Sequence, residues 1–327
     1  MNRKPGFKDV VEYNINNAKL EGRFTDRPSA FTILRGRWIM ILITGANGQS
    51  GRAIIRTLLS KGEEVRAFVH KAEQIQELKS LGVKEVVAGD MRNQEAMNEA
   101  FIGIRAAYHI CSAMNPDEVR IGQIAVNAAR SAKIEHFVYH SVLHAVLQDL
   151  PHHQKKLMVE EILVNSSIPY TIIQPSIFMQ NILDSWKLLS EEGIFEQRFF
   201  TSKETRICMV DLEDLAEAVS IILTKPGHTG ATYEICGPEN LSMADMLAAF
   251  KQNFGREVKV QTTPDELWAA QLKKHGLGDY QVNTLLTMFH HYNEHGSTGN
   301  QNVLTWILGR KPNNFVSFIH RTMQSKR

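Results

Sequence analysis

Residues 40–59 read MILITGANGQSGRAIIRTLL, and this stretch decides the fold. The run WIMILIT, ending at Thr44, is almost wholly apolar and rich in Ile, as expected of a central parallel strand covered on both faces. The segment after it carries apolar residues at Ile54, Ile55, Leu58 and Leu59, a helical stripe that stops at Gly62. Between them lie Gly45, Gly48 and Gly51. A glycine turn joining strand to helix lets the backbone approach a pyrophosphate, which rests on the unpaired N–H groups of the helix start. Three spaced glycines alone make a weak pattern, and a merely tight strand-to-helix turn is the alternative. Here strand, turn and helix come in the order the mechanism needs. Gly45, Asn47, Gly48, Gln49, Ser50 and Gly51 are therefore the expected dinucleotide-binding residues.

Working outward, the chain alternates strand-like and helical segments. EVRAFVH (64–70), KEVVAGD, AAYHICSA, HFVYHSV and YTIIQP read as strands, with helical patterns between them. Six strands between residues 40 and 175 predict an α/β protein with a Rossmann-type, doubly wound parallel sheet. Residues 40–175 read as the NAD(P)-binding core and 176–327 as a smaller C-terminal substrate lobe. The first 39 residues contain no apolar signal-peptide core. They hold Asp9, Glu12, Glu21 and Asp26, unlike a transit peptide, and keep no lasting period, so they read as a poorly ordered extension.

Charge narrows the function classes. The formal net charge is +2, made of +4 over residues 1–39 and −2 over the rest. The folded part thus lacks a broad basic footprint for nucleic acid, and no helix-turn-helix or zinc-finger spacing is present. No apolar run reaches about 18 residues, so no membrane span is expected. Cys111, Cys208 and Cys236 are isolated and suit a reduced, cytoplasmic protein. An NAD-specific site usually carries Asp or Glu at the end of the second strand; here His70 and Lys71 stand there, which favours NADP(H) over NAD(H). Ordinary solvated loop residues are the alternative at both positions.

TGANGQSG, the GD pair at 89–90, VEEILVNSSIPYTIIQPSIFMQNI and VDLEDLAEAVSIILTKPGHTGATYEICGPENLSMADM together resemble the NmrA-like family of atypical short-chain dehydrogenases, and the likeness runs over essentially all of residues 40–327. The resemblance implies that Asp90, beside Met91, accepts a hydrogen bond from the adenine amino group; helix capping is its alternative, although Asn93 is better placed to cap. It also implies that Cys111 and Ser112 border the cofactor riboses and that Pro175, Ser176 and Phe178 form the loop beside the nicotinamide. The wider dehydrogenase pattern of Ser and Tyr-x-x-x-Lys puts Lys156 at the lysine position, which holds the nicotinamide ribose, and Ser141 at the serine position, which positions the substrate carbonyl; satisfying backbone groups where its strand becomes a loop is the alternative for Ser141. His152 replaces the tyrosine. On a helix His152 and Lys156 share a face, and histidine can deliver a proton near neutral pH. Against this, Pro151 predicts a helix start, whose dipole opposes an imidazolium, and a surface histidine is the alternative.

His291 and His295, four apart beside Glu294, lack a third ligand fixed by spacing, and no metal site is expected. Trp268, Tyr280, Met288, Phe289, Tyr292 and Trp306 give the C-terminal lobe bulk, as core or as a flat apolar pocket. Two functions remain. One is NADPH-dependent reduction of a quinone or other conjugated carbonyl, with Lys156 placing the cofactor. The other is a non-catalytic redox sensor that reports dinucleotide state to a regulatory protein partner.

Overall fold

The computed structural model describes residues 40–197 and 205–326. The expectation about residues 1–39 lies outside them. Six strands, β1 (Met40–Ile43), β2 (Val65–Val69), β3 (Glu85–Ala88), β4 (Ile104–His109), β5 (His136–His140) and β6 (Tyr170–Pro175), alternate with five helices. These are α1 (Gln49–Ser60), α2 (Gln74–Ser80), α3 (Gln94–Phe101), α4 (Glu118–Ala132) and α5 (Pro151–Val164). The alternation read from the sequence is present throughout, and α5 begins at the proline that needs no N–H partner there.

Beyond Pro175 come β7 (Ile177–Phe178), β8 (Ile194–Gln197), β9 (Ile207–Val210), α6 (Leu212–Thr224), β10 (Thr232–Ile235), β11 (Asn240–Leu241) and α7 (Met243–Phe254). Then follow β12 (Lys259–Thr262), α8 (Asp265–Lys274), α9 (Asp279–His295), α10 (Gln301–Leu308) and α11 (Phe315–Ser325). The main sheet is seven-stranded in the order β10-β6-β5-β4-β1-β2-β3, with every neighbouring pair parallel. Its last strand thus comes from beyond residue 176. Both faces are covered, one by a cluster including Ile54, Ile55, Leu58 and Leu215, the other by one including Phe101, Ala125, Val159 and Leu163. That double burial explains why β1 reads as an unbroken apolar run. A third cluster around Trp186, Phe250 and Phe315 is the core of the C-terminal part.

The chain order reverses between β1 and β4, which opens a crevice beyond their carboxyl ends. Two glycines shape its floor. Gly45 has φ of +56°, and a Cβ there would stand 2.7 Å from the Ile110 side chain. Gly51 lets α1 settle onto the loop, since its Cβ would lie 2.5 Å from Gly45 O and 2.9 Å from Ala46 Cα. Both obstacles at Gly51 are backbone. Gly51→Ala should therefore lower stability by about 3 kcal/mol, as overpacking against an unyielding neighbour does, measured as a shift in the urea midpoint.

Candidate functional site

A cleft of about 910 Å³ lies over the carboxyl ends of the strands, its wall formed by the loops that follow β1 to β6 together with α8 and α9. At its start, Gly48 caps α1 without any side-chain hydrogen bond, so the N–H groups of the first turn remain for a ligand. Gly48 N donates to Gly45 O at 3.0 Å, closing the turn. Arg52 braces the loop from behind, donating from Nε to Asn47 O at 3.0 Å and from Nη2 to Asn47 Oδ1, while Nη1 pairs with Glu77 at 2.6 Å. Gly45, Asn47, Gly48 and Ser50 are on the cleft wall; Gln49 and Gly51 are not. Gln49 is exposed at the head of α1, and Gly51 serves the close packing already described.

On the opposite side of β1, the wall takes in His70, Asp90 and Met91. Lys71, expected there, lies outside it. The chain turns after β2 into α2, with the Lys71 amide bonded to Gln74 Oε1 at 3.2 Å. The cation on this side of the wall is Arg92, which the sequence reading missed. Arg92 donates to Asp90 from Nη2 at 2.7 Å and from its backbone N at 2.8 Å, holding the carboxyl down at about 2. Asp90 does not cap α3; Asn93 does, accepting from Ala96 N at 3.0 Å.

Cys111, Ser112, Pro175 and Phe178 also border the cleft. Burial raises the Cys111 thiol to about 12, so it stays protonated. Phe178 also packs on the core and meets the His140 ring edge-on at 6.1 Å.

The inner end of the cleft is polar. Lys156 Nζ, with its side chain 3% exposed, donates to Glu118 Oε1 at 2.9 Å and to His140 O at 2.8 Å. It also lies 5.1 Å from the centre of the Tyr139 ring. Tyr139 OH donates to Glu118 Oε1 at 3.0 Å. Ser141 Oγ donates to Glu160 Oε1, which also accepts from Gln174 Nε2 at 2.9 Å. The Ser141 proton is thus committed inward, contrary to the expectation that it positions a substrate carbonyl. His152 lines the cleft, half-buried, rather than standing on the surface. Burial, then the Lys156 charge one turn away, lowers its imidazole to about 3. It is neutral near pH 7, which corrects the reading of it as a proton donor.

The outer half is apolar. Trp268 and Leu272 of α8 and Leu285, Met288, Phe289 and Tyr292 of α9 line it, with the Trp268 and Phe289 rings 4.8 Å apart. Of the aromatic residues singled out in the sequence, Trp306 is instead exposed and Tyr280 lies off the wall, under Lys155. His153, also unforeseen, ties α9 to α5: its Nδ1 donates to His144 O at 3.0 Å, and Tyr292 OH donates to its Nε2 at 2.8 Å. The His291 and His295 rings lie 4.7 Å apart, tilted at 56°, and no group of three metal-ligating side chains occurs among the described residues. No helix among the described residues is long and apolar enough to cross a membrane.

Known proteins with this architecture are reductases among others. The profile of the NmrA-like family matches residues 39–325. The NAD(P)H azoreductase of Xenophilus azovorans is 30% identical over 222 residues, 67% of this chain and 76% of the relative. Quinone oxidoreductase 2 of Escherichia coli is 27% identical over 242 residues, 73% of this chain and 83% of the relative. The crystal structure of the NADPH-dependent quinone oxidoreductase from Escherichia coli complexed with NADPH superposes with a TM-score of 0.74. It is 24% identical, and the match covers 87% of this chain and all of the other.

Proposed function

The chain belongs to the NmrA-like family, and from that premise we propose that it is an NADPH-dependent oxidoreductase acting on a quinone or another flat conjugated carbonyl. One observation carries the reading: a single cleft joins an uncapped helix N-terminus at one end to an aromatic-lined apolar half at the other. The family's reductases of azo compounds and quinones support the same class. The residues fit the dinucleotide, because the first-turn amides of α1 are donors without side-chain partners and Gly45 and Gly51 keep the floor flat. NADP(H) is preferred over NAD(H) because the residue that follows β2 is His70, not a carboxylate, and Arg92 lies on the same wall.

NADPH supplies a hydride when bound. The chain's own residues bind and orient. The first-turn amides of α1, from Gln49 on, hold the diphosphate, and Lys156 offers its remaining N–H to the ribose next to the nicotinamide. Cys111, Ser112, Pro175 and Phe178 border that end, and Trp268, Met288 and Phe289 grip the acceptor's flat face. Ser141 and His152 supply no proton, so the reduced acceptor takes its protons from solvent, which a quinone tolerates because its reduced oxygens need no strong protein acid. A reducing compartment, the cytoplasm, suits a chain whose three cysteines are all free.

The test is NADPH oxidation against a panel of quinones. Turnover faster with NADPH than with NADH is expected. Phe289→Ala should raise the acceptor KM roughly tenfold through lost apolar contact, with NADPH affinity unchanged. Tight NADPH binding without turnover on any acceptor would contradict the enzyme and favour a sensor that acts through a protein partner.

A further inference from the structure

Glu118 is a charged residue that nothing in the cofactor pattern requires. It stands at the head of α4, completely buried, while the lysine it meets comes from α5. Its Oε1 accepts from both Lys156 and Tyr139, and its Oε2 is buried without a hydrogen-bond partner. Lys156 is therefore the cation that compensates it. An ammonium has three N–H groups. Glu118 and His140 O take two of Lys156's, and the lysine lies on the cleft wall.

We propose that Glu118 is a positioning residue for the cofactor: it keeps the Lys156 ammonium charged inside the protein and holds it with its third N–H toward the cleft. The proposal rests on the NADPH reading above and extends it to a residue behind the cleft. Taking an ammonium out of water disfavours its charge, and a carboxylate at 2.9 Å reverses that. Burial by itself would raise the Glu118 carboxyl, yet the Lys156 charge and hydrogen bond win and its pKa is lowered. The histidines, thiol and phenol that face this ammonium stay neutral across the working range. On β4 and just beyond it, His109 is lowered to about 4 and the Cys111 thiol raised to about 12. On β5, burial pushes Tyr139 up and His140 down. On α5 itself, His152 is lowered to about 3, and Glu160, one turn along, is held by Ser141 and Gln174. Glu118 is thus the carboxylate that Lys156 touches.

The test titrates NADPH onto the full chain between pH 6.5 and 9.5, as the ratio of variant to wild-type affinity at each pH, so that the nucleotide's own phosphate cancels. Glu118→Gln keeps the shape and removes the charge. Its affinity ratio should fall by at least about fivefold as pH rises through the window, because the unsupported lysine loses its proton. Glu118→Asp keeps the charge and should give a flat ratio. Melting needs no nucleotide and separates this proposal from the cofactor reading. Glu118→Gln should melt about 5 °C or more below wild type, and adding Lys156→Met should restore most of that loss. A flat Glu118→Gln ratio, an equal loss at every pH, a falling ratio in Glu118→Asp or no restoration in the double variant would each overturn the proposal.

Discussion

Leucine in place of Gly48 should weaken NADPH binding by about a hundredfold or more while the protein stays folded. Gly48 has φ of −73°, which any residue adopts, and its added Cβ would meet only Gly45 O, at 3.3 Å. The backbone thus accepts a side chain with a shift of a few tenths of an ångström. The side chain then enters the cleft where the first-turn amides of α1 are offered. Losing two or three charge-assisted hydrogen bonds of about 1.5–3 kcal/mol each accounts for the magnitude. Isothermal titration reads the affinity, and a melting curve within a few degrees of wild type shows that the fold survives. Gly51→Ala should do the opposite, harming stability first. The two glycines look alike in sequence but differ in what stands above them.

Lys156→Met should have the other large effect, on stability and binding together. Removing one partner of a buried ion pair leaves the other charge uncompensated, a loss of about 3–5 kcal/mol. Here the stranded group is Glu118, whose side chain is 1% exposed. Urea unfolding reads that loss. In the same variant NADPH affinity should drop roughly 10- to 100-fold, the worth of one hydrogen bond from a charged donor. Unchanged affinity would mean that Lys156 serves the fold and does not touch the nucleotide.

What could be read from the sequence was what is local. The strand, glycine loop and helix of residues 40–60 are written in consecutive residues, and so are the six strands before Pro175 and the cap at Asn93. What escaped depends on residues distant in sequence. Arg92 enters the cleft because β3 lies beside β2 in the sheet, which no spacing in the chain announces. Lys71 was misplaced because strand ends are uncertain by a residue or two, and the chain has already turned away at that point. Glu118, an acid at a helix start, reads as a solvated dipole partner; only the packing of α4 against α5 reveals it as buried. His152 sits on the face the helical spacing predicts, but its charge state follows from desolvation, which sequence does not display. The aromatic residues of α8 and α9 were singled out as a group. Which of them face the cleft became visible only once the helices were packed.

The measurement that bears most directly on the central claim is a crystal structure of the protein grown with NADPH. The diphosphate is expected against the first-turn amides of α1, with the nicotinamide end on the Lys156 side and the acceptor space beside Trp268 and Phe289 left open. Nucleotide bound away from those amides, or a cleft that stays empty at saturating NADPH, would contradict it.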